Sequence, residues 1–405
     1  MKGTILILLA RLRLFFIRTI MYPFLFILGV VFKTNSKIIL LTSFNGKSYS
    51  DNPRYLFEYM RDSEQFSDYQ LIWAFQKKQV IAGAKTVKFN SLQYYYYYYY
   101  YYYLSKAKYW IFNSKMAPYY YKKSDQVYLQ TWHGVPLKRL GHDIIDNGST
   151  YYRSKQSYKQ MVKSYDKDRR HWDYLIASSP FSAQVFETAF AFPQPKMLHI
   201  GYPRVDCLVH PDPVKIAELK RKYHLPTNKK IILYTPTWRD NAYSNTGYTF
   251  ELKVDFYKWK RALGEGYIVL FKPHYLICST YHIPRYLKNF VFFMDPNQDI
   301  NEAYLVSDAL ITDYSSVFFD YAQLGRPIYF YMYDLEYYAK ELRGFYLKVS
   351  DDLPNDFVKT EEELLKMIKD DCFDYQRLRA FNERFNPWND GSACEKIVSE
   401  VFNET

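Results

Sequence analysis

Between Asp308 and Ile328 the chain reads DALITDYSSVFFDYAQLGRPI, a run that admits few folds. Ala309-Leu310-Ile311 is a short apolar run, and a polar turn, Thr312-Asp313-Tyr314-Ser315-Ser316, follows it. Val317, Phe318, Tyr321 and Leu324 then recur at helical spacing. Gly325 stops that helix, and Arg326-Pro327 lead into a second apolar run, IYFYMY. Strand, hydroxyl-rich turn, helix, strand is the repeating unit of a parallel sheet. In open α/β sheets such a turn lies at the carboxyl end of a strand, where ligands bind. Unpaired N–H groups at the helix start and the hydroxyls of Ser315 and Ser316 suit an anion such as a nucleotide diphosphate. Asp313 or Ser315 acting only as a helix cap accounts equally well for the turn taken alone.

The same rhythm runs through the chain. Apolar strand candidates begin at Lys37–Ser43 and continue at Gln70–Phe75, Thr86–Phe89, Lys108–Asn113, Val127–Trp132, Asp173–Ser178 and Met197–Gly201. Helices fit near Asn52-Pro53, at 151–166 and at 179–190. Pro211 and Pro213 in HPDPV mark a linker, with a helix over Val214–Tyr223. A second set of strands follows at Lys230–Thr235, Tyr267–Lys272, Phe290–Phe293, Ala309–Thr312 and Pro327–Tyr331, with helices near 253–263, 299–306 and 316–324. Beyond residue 360 the pattern is helical only. This predicts an α/β chain of two Rossmann-like halves, 36–205 and 206–370, facing across a cleft, with helices of 371–405 packing back toward the interdomain region.

Residues 1–35 are apolar with Arg11, Arg13 and Arg18 embedded. The longest uncharged run after them, Thr19 to Phe32, has 14 residues, short of the ~20 that a spanning helix needs. No small-residue cleavage site follows Val31. We expect one or two helices lying in the membrane interface, separated or kinked at Pro23, rather than a span or a helix buried on the protein itself. The net charge of +12 favours anionic partners: phosphorylated substrates, nucleotides or an acidic membrane surface. No zinc-finger, basic-zipper or RNP pattern is present, so nucleic acid is not expected as a partner. Cys207, Cys278, Cys372 and Cys394 are far apart and imply no disulfide framework. Residues 94–103 are ten consecutive tyrosines in a helix slot between two strands. A homopolymer carries no periodicity, so we read it as a helix whose low complexity is tolerated, ahead of a membrane- or acceptor-facing patch.

Polar clusters recur at predicted strand ends: Ser43 to Lys47, Trp132-His133-Gly134, Thr235 to Asp240, Lys272-Pro273-His274 and the opening turn. Strand carboxyl ends gather at one sheet edge, so their coincidence says more than any one of them. A histidine on a tight turn, as His133 is, can serve as a general base because the unperturbed imidazole titrates near neutrality, although a loop-bonded histidine fits as well. His274 beside Lys272 suits a phosphate. The other six histidines are read as structural or surface residues, and no metal-ligand spacing occurs.

Together TWHGVPLKRLGHD (131–143), GYPRVD (201–206), ILYTPTWRD (232–240), FKPH (271–274), SDALITDYSSVFFDYAQLGRPI (307–328) and RGFY (343–346) resemble the motif series of the CDP-glycerol glycerophosphotransferases, builders of teichoic-acid-type polymers. SFNGKSYSDNPRYLFEYM (43–60) resembles that family's first strand-turn-helix. The tyrosine run is a departure, which the family pattern does not require. The resemblance implies a GT-B fold, peripheral attachment at the cytoplasmic face of the cell membrane, a lipid-linked glycerol-phosphate acceptor and CDP-glycerol as donor. It implies that His133 and His274 match two essential histidines. Thr312, Tyr314, Ser315, Ser316, Arg239, Lys272 and Arg343 are then the donor-binding candidates, and Asn45, Lys47 and Asn52 the acceptor-binding ones. CDP-ribitol or a nucleotide-sugar is the alternative donor, and a nucleotide-binding module without turnover the alternative class. No carboxylate cluster demands a metal, and a divalent ion with the diphosphate stays open, as does the oligomeric state.

Overall fold

The computed structural model describes residues 15–90, 94–146, 157–237, 243–244, 247–248, 252–273, 283–336 and 344–402. The first sheet is built from β1 (Asn35–Thr42), β2 (Gln70–Phe75), β3 (Lys85–Lys88), β4 (Ala107–Phe112), β5 (Val127–Gln130), β6 (Tyr174–Ala177) and β7 (Met197–His199), in the order β3-β2-β1-β4-β5-β6-β7. From β3 to β6 every pairing is parallel. The second sheet takes β8 (Lys230–Thr235), β11 (Tyr267–Phe271), β12 (Val291–Phe293), β13 (Ala309–Thr312), β14 (Ile328–Tyr331) and β15 (Phe357–Val358), in the order β12-β11-β8-β13-β14-β15, all parallel. A two-residue hairpin, β9 (Tyr243–Ser244) with β10 (Gly247–Tyr248), stands apart. Strands such as KIILYT and YIVLF are apolar on both faces because helices cover both faces of a parallel sheet. Two parallel sheets of this kind make the α/β fold that the strand-helix rhythm predicts, GT-B-like as the family resemblance implies. β15 was not anticipated: two residues carry no readable period.

By contact the chain forms two compact units, residues up to 133 with 163–176, and 134–162 with 177 onward. In the first unit a π-helical turn, Ile17–Met21, runs into the helix Tyr22–Val31, with Pro23 in its first turn. Met21, Leu25 and Gly29 are buried. Phe24 meets Tyr101 edge-on, ring centroids 6.2 Å apart, and Phe32 meets Tyr102 at 4.9 Å. The opposite side, with Ile20, Ile27, Val30 and Val31, is exposed, Val30 to 67%. Among the described residues no helix is long and apolar enough to cross a membrane.

The tyrosine run is helical, Tyr94–Lys106. Tyr100, Tyr101 and Tyr103 are buried, whereas Tyr99 is exposed. Tertiary neighbours select the inward face: the Tyr100 hydroxyl meets that of Tyr120 at 2.9 Å, the Tyr101 hydroxyl donates to Asn90, and Lys85 lies over the rings of Tyr99 and Tyr103.

In the second unit the C-terminal helices Tyr375–Phe385 and Ala393–Phe402 pack on residues 177–210. Phe385 meets Phe181 with centroids 5.1 Å apart, and the half-buried Asp206 carboxylate accepts the Ala393 and Cys394 N–H groups at 3.0 and 2.9 Å. Burial raises the pKa of that carboxyl. The helix after the opening turn is short, Val317–Tyr321, and continues as a 3-10 turn, Ala322–Leu324. Gly325 ends it with φ +64 and open space where a Cβ would stand. Gly325→Ala should therefore cost only the left-handed backbone penalty, ~1–2 kcal/mol, measured as a small shift of the urea unfolding midpoint.

Candidate active site

Parallel strands end their carboxyl termini on one edge, and in each unit the polar clusters lie there. In the first unit Ser43–Lys47 follow β1, Asn113 follows β4 and Thr131–His133 follow β5. Trp132 is in the left-handed region at φ +53, as are Phe44, Asn45 and Asp51 at 47, 57 and 62. These turns present His133 as an exposed side chain. Its Nδ1 stands 2.7 Å from the Asn113 carbonyl oxygen. A carbonyl only accepts, so Nδ1 carries the hydrogen, and in the neutral ring the lone pair is then on Nε2. Trp132 stacks on the imidazole with centroids 4.3 Å apart, and Phe44 meets it edge-on at 5.8 Å.

Asn45 and Lys47 are exposed, on the turn after β1. Asn52 differs from them. It is fully buried, and its amide donates to the carbonyls of Thr131 and Trp132, each at 3.2 Å, so it braces the His133 turn from behind. The loop after Asn113 is pinned as well: the Met116 N–H donates to Asp168 Oδ1 at 3.0 Å and Trp172 Nε1 to Oδ2 at 3.1 Å. Burial pushes that carboxyl up to about 7 and the nearby Lys115 amine down to about 8.

In the second unit the opening turn follows β13. Thr312 is buried and its hydroxyl donates to the Thr235 carbonyl at 3.0 Å. Asp313 Oδ1 accepts the Thr237 N–H at 2.8 Å, which ties the turn after β8 to the turn after β13. Tyr314 is buried and donates to Asp334 at 3.0 Å. Ser315 and Ser316 are half-exposed at the tip. Lys272, at the end of β11, is buried and donates to the carbonyls of Asp295 and Pro296 at 3.3 and 3.0 Å. His274, Arg239 and Arg343 lie outside the described residues. Among the described residues no group of three or more His, Cys, Asp and Glu side chains could hold a metal ion.

Gly134 also belongs to this unit. A Cβ there would stand 3.1 Å from Ser316 Oγ, a close approach that a side chain would crowd. The Gly134 carbonyl accepts the Tyr202 hydroxyl at 3.1 Å. Arg204, next but one to Tyr202, forms a two-pronged pair with Asp320, Nε to Oδ2 at 2.9 Å and Nη2 to Oδ1 at 3.0 Å. The pair is buried and its guanidinium lies over the Tyr202 ring. Asp320 is on the helix that begins after Ser316, so this bond fixes the hydroxyl tip against residues 202–204. A further antiparallel bridge, Lys138 with Phe345, holds 137–140 against 344–346, where the Tyr346 hydroxyl donates to Asp143 at 2.7 Å. Burial and that carboxylate both raise the Tyr346 pKa.

The model of CDP-glycerol:poly(glycerophosphate) glycerophosphotransferases matches residues 24–403. The chain belongs to that family. A teichoic acid poly(glycerol phosphate) polymerase of Staphylococcus epidermidis is 39% identical over 91% of the chain and 51% of its own length. The chain thus spans about half the length of that relative. A teichoic acid glycerol-phosphate transferase of Staphylococcus aureus is 37% identical over 91% of the chain and 93% of its own length. The solved wall teichoic acid polymerase TagF superposes with a TM-score of 0.82 at 36% identity, covering 92% of this chain and 90% of that one. Two groups at this edge of the sheets carry little local sequence signal of their role. Asn113 was legible only as the last residue of a strand, and the partners Arg204 and Asp320 are 116 positions apart. Polar residues just beyond β4 and within GYPRVD were the available signal.

Arg204→Ala should leave the Asp320 carboxylate buried without its cation and cost ~3–5 kcal/mol, seen as a fall in melting temperature. Replacing both, Arg204→Met with Asp320→Leu, should recover most of that loss.

Proposed function

We propose that the chain transfers glycerol phosphate from CDP-glycerol to a hydroxyl of a lipid-linked, membrane-anchored acceptor and releases CMP, in synthesis of a teichoic-acid-type polymer. The observation that carries this reading is His133, an exposed imidazole on a strand-end turn whose Nδ1–H is taken by a main-chain carbonyl, leaving Nε2 to accept a proton. Membership of the family and a TagF variant soaked with CDPG support the donor.

In this reading the donor diphosphate lies on the second-unit turn. Ser315 and Ser316 supply hydroxyls, with Thr312 and Tyr314 bracing the turn beneath. His274 stabilises the leaving charge, and Lys272, Arg239 and Arg343 add positive potential. Asn45 and Lys47 line the acceptor side. The acceptor hydroxyl attacks the β-phosphorus as its proton passes to His133 Nε2. The new O–P bond forms while the bond from that phosphorus to the CMP oxygen breaks, and CMP departs. There is little covalent work for the protein beyond placement and charge. A divalent ion, if required, would offset charge on the donor diphosphate, and EDTA in the assay reads its contribution.

The N-terminal helix supports attachment to a membrane surface, which this reading places at the cytoplasmic face. One side of it is packed on the tyrosine helix and the other offers Ile20, Ile27, Val30 and Val31 to the outside. An apolar face beside basic residues suits an anionic lipid interface.

The deciding assay supplies a lipid-linked glycerol-phosphate acceptor analogue with CDP-glycerol, CDP-ribitol or UDP-sugars in turn, and records nucleotide release and product mass. CMP release with added glycerol-phosphate units is expected only with CDP-glycerol, and the number of units separates single addition from polymerisation. Loss of a general base removes ~10²–10⁴-fold in rate. His133→Ala should lower kcat by that much with donor binding nearly unchanged, and normal turnover would sink its assignment as base. Ile27→Glu with Val30→Glu should weaken binding to anionic vesicles at least ~10-fold, given ~1.5–3 kcal/mol for each buried aliphatic side chain, as read by co-sedimentation.

A further inference from the structure

The turn that carries His133 is not one the chain adopts unaided. Trp132 is left-handed, and so are Phe44, Asn45 and Asp51 in the neighbouring turn. Each such non-glycine residue costs free energy that surrounding contacts must offset. One buried side chain links these turns. Asn113 Nδ2 donates to Asp51 Oδ2 at 2.6 Å, and Asn113 Oδ1 accepts the Phe44 N–H at 2.7 Å. The main-chain carbonyl of the same residue takes the His133 Nδ1–H. Asp51, itself buried, accepts the Asn52 N–H at 2.8 Å. Asn52 in turn holds the Thr131 and Trp132 carbonyls.

We infer that Asp51, Asn52 and Asn113 are positioning residues for His133, fixing its tautomer and its aim without touching substrate. The inference rests on the reading of His133 as the base. Its physical content is threefold. The carbonyl that accepts from Nδ1 belongs to a residue whose side chain is anchored at both ends, by a carboxylate on one side and an N–H on the other. Flipping the ring would replace that N–H with a C–H and forfeit the bond. The flanking rings of Trp132 and Phe44 limit the ring's tilt, and both are set by backbone that this network holds. A carboxylate so far from water also needs its donors. Replacing Asn113 would therefore loosen the Asp51 and Phe44 ends together, and the carbonyl between them would drift. Misplacing a catalytic group by ~1 Å costs on the order of 10²-fold in rate.

The same contacts would serve a purely structural role, so the test must separate the two. Asn113→Ala and Asp51→Asn are made alone and on His133→Ala. CMP release from CDP-glycerol with the acceptor analogue, donor KM and melting temperature are measured for each. Each single variant should lower kcat ~10–100-fold with donor KM within about twofold, and should cost no further activity once His133 is Ala. Losses that multiply on the His133→Ala background would overturn the inference, because the residues would then act through something other than His133. Full activity in His133→Ala alone would overturn it differently, by removing the base on which it rests. Asp51→Asn preserves volume and covers the case in which Asn113→Ala does not fold. Nitrogen-15 NMR of the wild-type imidazoles gives a readout free of activity: His133 should carry its hydrogen on Nδ1, and a hydrogen on Nε2 would overturn the inference whatever the kinetics.

Discussion

A polar turn at the end of a buried parallel strand has main-chain donors and acceptors that neither sheet nor water satisfies, and the molecule answers this with buried Asn and Asp side chains. Asn113 takes the Phe44 N–H in the first unit, and Asp313 takes the Thr237 N–H in the second. Asn389 takes the Tyr202 N–H just beyond β7. An unsatisfied buried polar group costs ~1–3 kcal/mol, so each of these bonds is a condition for the turn it holds. The turns are where the candidate chemistry lies. Stability and function thus make the same demand on the same few residues.

The buried pair of Arg204 and Asp320 extends that logic to charge. Two ions out of water are retained only with good geometry, and a guanidinium fork on a carboxylate is the geometry that serves. What it joins is informative: residues 202–204, which also reach the Gly134 carbonyl through Tyr202, and the helix that starts at the Ser316 hydroxyl. The helix itself is five residues and a 3-10 turn, too short for its dipole to do much. Side-chain hydroxyls and fixed backbone N–H groups are therefore the better candidates for meeting a diphosphate, and the ion pair keeps them in place.

The N-terminal helix is a different kind of solution. Ten residues cannot cross a bilayer, and among the described residues no helix can. Aromatic edges from the tyrosine helix and Tyr121 cover one side of it. The other side, with Ile27, Val30 and Val31, is exposed.

Much of this was legible in the sequence, and the limits were physical. Apolar runs bounded by turn residues located the parallel strands, because strands buried on both faces must be apolar throughout. The opening turn and His133 were legible because strand ends are where polar residues stand out. β15 was too short to carry a period. The tyrosine run was helical as expected, but identical residues hold no information about facing, so Tyr120, Asn90 and Lys85 decided which rings turned inward. Asn52 reads as an acceptor-binding candidate at a helix start, and the fold buries it with its amide donating to the Thr131 and Trp132 carbonyls. Asn113, Asp51, Arg204 and Asp320 matter through partners tens of positions away. The sequence by itself determined the elements, their order and the polar edge, since periodicity and turn chemistry are local. Only the tertiary structure decided which polar residues are satisfied by protein and which remain outside to act, because that depends on what long-range packing brings within hydrogen-bond reach.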